Sequence, residues 1–118
     1  MTSITLKVNG SCAYASADGK LTSGMIGVPV YVEYDPSWDG LTKTVSFKVG
    51  DFVRSRKNAG TSTTVPWEVM RHSGVFLEVG VEGRDDDGNI VMPTIWASVS
   101  KIYLGANESV PASPNPDV

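Results

Sequence analysis

The sequence predicts an all-β domain, a sandwich or barrel of short strands, on three observations. Val occurs sixteen times and Thr nine, against five Leu and seven Ala. β-Branched side chains suit a pleated surface, and the strong helix formers are scarce. Turn signals recur about every ten residues, at Asn9-Gly10, Asp18-Gly19, Asp35-Pro36, Asp39-Gly40, Gly50, Gly60, Gly74 and Asp87-Gly88. Between them apolar and polar residues alternate, the period-two pattern of a strand with one buried face.

Ile4, Leu6 and Val8 alternate with Thr5 and Lys7 and predict a half-buried first strand. Residues 10–24 are small and polar and read as a long connection, with room for a short strand at 12–14. Residues 27–34 predict a stronger strand, with Val28, Val30, Val32 and Tyr34 on one face and Pro29, Tyr31 and Glu33 on the other. Pro29 has no N–H to give to a ladder, which argues for an edge position or a bulge. Asp35-Pro36-Ser37-Trp38-Asp39-Gly40 is a turn.

In residues 41–49 Leu41, Val45, Phe47 and Val49 point inward, with Lys43 breaking the pattern. Gly50-Asp51 reverses the chain into residues 52–56, and 61–65 predicts a short polar strand. Pro66 to His72 is the one plausible helical turn, because Pro suits the first helical position and Gly74 supplies a stop. Residues 75–82 place Val75, Leu77, Val79 and Val81 on a core face and Phe76, Glu78, Gly80 and Glu82 opposite. A hairpin loop with Asp87-Gly88 leads into residues 90–99, where Ile95, Ala97 and Val99 face the core. Ile102 and Leu104 break the alternation and predict a bulge or turn near Ser100. The expected organisation is one sandwich domain, residues 1–104. Residues 105–118, with Pro111, Pro114 and Pro116, are expected to be a Pro-rich linker or disordered tail.

Composition narrows the function classes. A chain of 118 residues, 41% hydrophobic and 19% charged, has the size and content of one folded domain. Ten basic against thirteen acidic residues give a net charge of −3, without the basic stripe of a nucleic-acid binder. A membrane helix needs roughly 18–20 apolar residues, and the longest run here is Val28 to Val32, closed by Glu33. Residues 1–7 lack a basic and an apolar signal segment, so the expectation is synthesis in the cytoplasm without signal-directed secretion. Cys12 is the single cysteine and reads as a buried or incidental thiol.

Motifs for catalysis and for cofactors are missing, and the expectation is a protein that is not an enzyme and takes no cofactor. His72 is the one histidine, and it stands in the predicted helical turn between Arg71 and Ser73. One His and one Cys cannot build a closed four-ligand metal site. Asp85-Asp86-Asp87-Gly88-Asn89 invites a calcium reading, but its twelfth ligand position would be Thr94 and not Glu. Glu78 and Glu82 share a strand face, with Glu33 expected on a neighbouring strand; a solubilising surface is the plainer reading than a glycosidase pair. Arg54, Arg56 and Lys57 form the one basic cluster and read as a solvated loop.

The aromatics carry more information. Tyr31, Phe76 and Trp96 fall on faces opposite the predicted core, where aromatics anchor protein interfaces or stack on sugars. Trp38 falls in a turn, and Trp67 after Pro66 is expected to plug one end of the sandwich.

Two segments carry a family resemblance: Val65-Pro66-Trp67-Glu68-Val69, leading through Gly74 to residues 76–81, and Met92-Pro93-Thr94-Ile95-Trp96-Ala97. With the Gly-Ala-Asn-Glu-Ser start of the Pro-rich tail, the series resembles the N-terminal domain of phage and prophage tail proteins of Gram-positive bacteria, of the baseplate-upper-protein or tail-fibre type, over roughly residues 2–110. The resemblance implies an immunoglobulin-like antiparallel β-sandwich of about seven strands with one short helical turn, acting as a structural assembly module in the virion tail. It carries no catalytic residues. The partners expected are other tail or baseplate subunits, a homo-oligomer among them, with Tyr31, Phe76 and Trp96 as the candidate interface and with neither nucleic acid nor membrane. The rival expectation is a carbohydrate-binding module for cell-wall or surface glycans, with Trp38 or Trp96 as the stacking platform.

Overall fold

Eight strands build two four-stranded sheets in the computed structural model, which describes residues 2–104. In chain order they are β1 (Ser3–Asn9), β2 (Cys12–Asp18), β3 (Pro29–Tyr34), β4 (Thr42–Val49), β5 (Phe52–Lys57), β6 (Ser62–Thr64), β7 (Phe76–Arg84) and β8 (Ile90–Lys101). A 3₁₀ turn, Pro36–Trp38, follows β3, and one helical turn, α1 (Trp67–Met70), follows β6. The first sheet has the order β2-β1-β3-β6 and the second β5-β4-β7-β8. The fold is an all-β sandwich.

Alternation does what the sequence requires of it. Ile4, Leu6 and Val8 of β1 and Val30 and Val32 of β3 are buried and meet Val45, Phe47 and Val49 of β4 and Leu77, Val79 and Val81 of β7. No polar or charged residue is buried among the described residues. The two open sides are closed differently. On one, β8 runs beside β2. On the other, α1 buries Val69 and Met70 against β4 and β5, and Arg56 of β5 donates from Nε to the Thr64 carbonyl of β6 at 3.2 Å.

Several expectations are corrected in detail. The connection expected at 10–24 contains a full strand, β2, paired antiparallel with β1 from Asn9↔Cys12 to Ser3↔Asp18. Its Ala13, Ala15 and Ala17 face the core, small enough to let β8 close over them. β3 is not an edge strand, for it lies between β1 and β6. Pro29 is accommodated as its first residue, where a missing N–H is tolerated. The β1–β3 pair runs parallel, the exception to otherwise antiparallel neighbours. The bulge expected near Ser100 is present: Leu77 pairs with Ser100 and Glu78 with Ser98, which leaves Val99 as the extra residue. The tail expected at 105–118 lies outside the described residues.

Trp38 is the largest buried side chain. Asp35 caps its turn, accepting from the Ser37 hydroxyl at 2.8 Å, and also accepts the Gly10 N–H at 2.8 Å. Those bonds hold the Asp35 carboxyl below its ordinary range, the Gly10 N–H being the largest cause. Trp38 Nε1 donates to the Gly10 carbonyl at 3.0 Å, so both backbone groups of Gly10, in the β1–β2 turn, are held by the 35–38 segment.

Tyr34 packs on Trp38 with ring centroids 5.2 Å apart, and its hydroxyl is buried without a hydrogen-bond partner among the described residues. Burial pushes this phenol up to about 12 from an ordinary 10.0. The sign follows from linkage. Between these values the unfolded chain has released the proton and the folded chain still holds it, so stability falls as pH rises through that window. Tyr34→Phe is expected to remove this alkaline loss and to cost little at neutral pH, because no hydrogen bond is broken. Absorbance titration of the tyrosines and urea unfolding at pH 7 and pH 11 check both halves.

Candidate interaction surface

The outer face of the second sheet is set by the residues that alternate with its core. Val45, Phe47 and Val49 turn inward from β4, which leaves Thr44, Ser46 and Lys48 outward. Register then fixes their neighbours. Lys48 lies between Val53 of β5 and Glu78 of β7, Ser46 between Ser55 and Gly80, and Thr44 between Lys57 and Glu82. Gly80 in turn pairs with Trp96 of β8.

Gly80 explains the posture of Trp96. A Cβ at residue 80 would lie 2.8 Å from Trp96 Cε3 and 2.9 Å from Cδ2. The indole therefore lies against bare backbone, a close approach that only glycine permits. It remains 39% exposed, with Lys48 Nζ 5.0 Å from the ring centroid. Phe76, two residues before Glu78 on the same face of β7, is 60% exposed, and Val53 is exposed on β5. The three surround an ion pair, Lys48 Nζ to Glu78 Oε1 at 3.4 Å.

The other half of this face is polar. A shallow depression of about 500 Å³ is lined by the polar and charged side chains of β4, β5, β7 and β8, with Lys57, Asn58, Glu82 and Arg84 among Thr42, Thr44, Ser46, Ser55 and Thr94. Ser46 and Ser55 share a hydrogen bond of 2.8 Å. Arg84 donates from Nε to Glu82 Oε1 at 2.9 Å and from its terminal nitrogen to the Gly88 carbonyl at 3.0 Å. The Glu82 carboxylate, by hydrogen bond and by charge, raises the proton affinity of that guanidinium further.

The three candidate interface residues do not form one patch. Phe76 and Trp96 share the second sheet, whereas Tyr31 lies on the outer face of the first, pointing the opposite way, with exposed Tyr14 on that sheet. Trp38, expected as a possible sugar platform, is fully buried and excluded from that role. Trp67 is half-buried, with the Arg71 guanidinium 5.5 Å from its ring. Val53, Tyr14 and the role of Gly80 escaped sequence reasoning. A glycine inside a strand, on the face of a tryptophan, was the signal for the last.

No family model, curated protein or solved structure matches the chain.

The chemical candidates are placed as follows. His72 stacks on Phe52 with centroids 4.9 Å apart. Glu78 and Glu82 share a face as expected, but each is paired with a cation, and Glu33 belongs to the other sheet. Asp85 spends Oδ1 on the N–H groups of Asp87 and Asn89, which shapes the hairpin tip. Among the described residues no group of three or more His, Cys, Asp or Glu stands close enough to hold a metal. No described helix is long and apolar enough to cross a membrane. Cys12 is exposed, which removes the buried alternative of its reading and keeps the incidental one.

Proposed function

We propose that the chain is a non-enzymatic assembly module of a phage or prophage tail, working by surface complementarity. Its partner is a neighbouring tail or baseplate subunit, and its place of action is the virion tail after synthesis in the bacterial host. The observation that carries this reading is the aromatic half of the second sheet's outer face. There Phe76, Val53 and Trp96 remain exposed on the outer face of a four-stranded sheet. Phe and Trp on a rigid surface are the residues that anchor interfaces, because they bury much area at small entropic cost. The resemblance of Pro66-Trp67-Glu68-Val69 and Pro93-Thr94-Ile95-Trp96-Ala97 to tail proteins supplies the class of partner.

Co-expression with individual tail subunits, followed by size-exclusion chromatography, tests the reading. One subunit is expected to co-elute with the chain. Phe76→Ser is expected to weaken that complex at least about tenfold without lowering the melting temperature, since an exposed anchor contributes to binding and not to the core. A chain that remains unbound by every tail subunit would overturn the reading.

A further inference from the structure

We propose that the free edge of β5 is a docking site for an extended acidic segment of a partner protein, which adds to the second sheet as a further strand. This inference rests on that edge and is independent of the assembly reading. The first observation is that the edge is open. β5 ends its sheet, and its residues from Val53 to Lys57 are all exposed. Gly50-Asp51 is a two-residue hairpin loop with Gly50 at φ 59°, so Val49 and Phe52 form a hydrogen-bonded pair and the pairs alternate from there. Val53 and Ser55 therefore aim their N–H and C=O groups away from β4. The Arg54 guanidinium agrees with this direction, donating to the Val53 carbonyl at 3.1 Å. No turn or loop backbone group among the described residues takes the rest.

The second is the placement of charge. Residues paired across two strands share a face, so Arg54, opposite Phe47, and Arg56, opposite Val45, stand on the core side of the sheet. Both are exposed, because β5 lies past the margin of the core. Arg54 lies over the Phe52 ring at 4.3 Å, which holds its guanidinium at the edge. Lys57 adds a third cation on the outer face. The ion pairs among the described residues, Lys48–Glu78 and Arg84–Glu82, use none of the three. Asp51 in the hairpin loop and Glu68 on α1 form no ion pair with them either. A chain of net charge −3 thus carries three cations without a carboxylate on one edge strand.

The two observations together define the partner. Side chains two residues apart on a strand share a face at a spacing of about 7 Å, and Arg54 and Arg56 are so placed. Carboxylates at alternate positions of an added strand meet both guanidinium groups, while its backbone meets Val53 and Ser55. Arg56 is tied to β6, donating from Nε to the Thr64 carbonyl at 3.2 Å and from a terminal nitrogen to the Thr64 hydroxyl at 3.4 Å, so Arg54 is the freer of the two. Charge on an edge deters pairing with a strand of like sign. These cations therefore repel the β5 of a second copy and attract an acidic strand. A nucleic-acid chain would match the charge and leave the backbone groups unmet, which favours a peptide.

The test uses the ¹⁵N-labelled chain with three probes, read by two-dimensional NMR. They are a short blocked peptide in which Glu alternates with Thr and Val, its isomer with the Glu residues contiguous, and oligothymidylate. The alternating peptide is expected to shift the amides of Val53 and Ser55 and to slow their hydrogen exchange about tenfold or more, the mark of new ladder bonds. Arg54→Glu is expected to weaken that binding about tenfold or more. Ser55→Pro removes an edge N–H that β4 does not use, so the fold is retained and the binding is lost. Tyr14→Ser, on the opposite sheet, leaves it unchanged. Overturning results are no binding of the alternating peptide, equal binding of the contiguous isomer without protection of Val53 and Ser55, binding that survives both Arg54→Glu and Ser55→Pro, or tighter binding of oligothymidylate at the same residues. None of these bears on the subunit complex, which is read by Phe76→Ser.

Discussion

Trp38→Ala is expected to lower the unfolding free energy by about 3–5 kcal/mol, the cost of deleting a large buried aromatic. A domain of this size is stable by only about 5–15 kcal/mol, so the variant stands near the limit of folding at 37 °C. The magnitude follows from three simultaneous losses. The side chain is fully buried, and its removal leaves a cavity beside Gly83 and Tyr34. The donor to the Gly10 carbonyl disappears, leaving that acceptor without the indole. The β1–β2 turn then keeps only the Asp35 bond to the 35–38 segment. Trp38→Phe separates the terms. It retains most of the buried ring and loses the N–H, so a smaller cost of about 1–3 kcal/mol is expected. Guanidinium unfolding of the two variants against the parent chain measures both.

The second large effect contrasts two glycines on one strand. At Gly83 a Cβ would meet Leu41 Cδ1 at 2.8 Å and two carbons of the Trp38 ring at 3.1 and 3.2 Å. Trp38 is fully buried and cannot swing aside, so Gly83→Ala is expected to cost about 1–3 kcal/mol as an overpacked site. At Gly80 the atoms in the way belong chiefly to Trp96, which is partly exposed and can lift off the sheet. Gly80→Ala therefore exchanges strain for movement, and replacing glycine within a strand recovers some backbone entropy. Its melting temperature is expected to fall less than that of Gly83→Ala, while tryptophan emission moves to longer wavelength. Thermal melts and fluorescence spectra of the two variants, recorded together, decide between movement and strain. A larger stability loss at Gly80 than at Gly83 would contradict the packing described.

Much of this architecture was legible in the residues, and the limits have physical causes. Val30 and Val32, Val45 through Val49 and Leu77 through Val81 alternate so strongly that both strand and buried face could be read. β2 was hidden because Ala13, Ala15 and Ala17 alternate by size and hardly by polarity, and alanine is a weak strand former. Trp38 read as a turn residue because the group that satisfies its N–H is the Gly10 carbonyl, 28 residues away in sequence. Periodicity also reports which side of a strand is outward without saying to which sheet the strand belongs. Periodicity alone therefore groups Tyr31 with Phe76 and Trp96, and the two sheets separate them. The polar depression was not visible at all, for it is made by register, which brings Thr44 beside Glu82 and Ser46 beside Gly80.

Hydroxyl-radical footprinting of the chain, free and in complex with its tail subunit, tests most directly the claim that function resides on the outer face of the second sheet. Protection confined to Phe76 and Trp96, with Tyr14 and Tyr31 oxidised as in the free chain, is the predicted result. Protection of Tyr14 and Tyr31 with Phe76 and Trp96 unchanged would place the working surface on the other sheet and contradict the account.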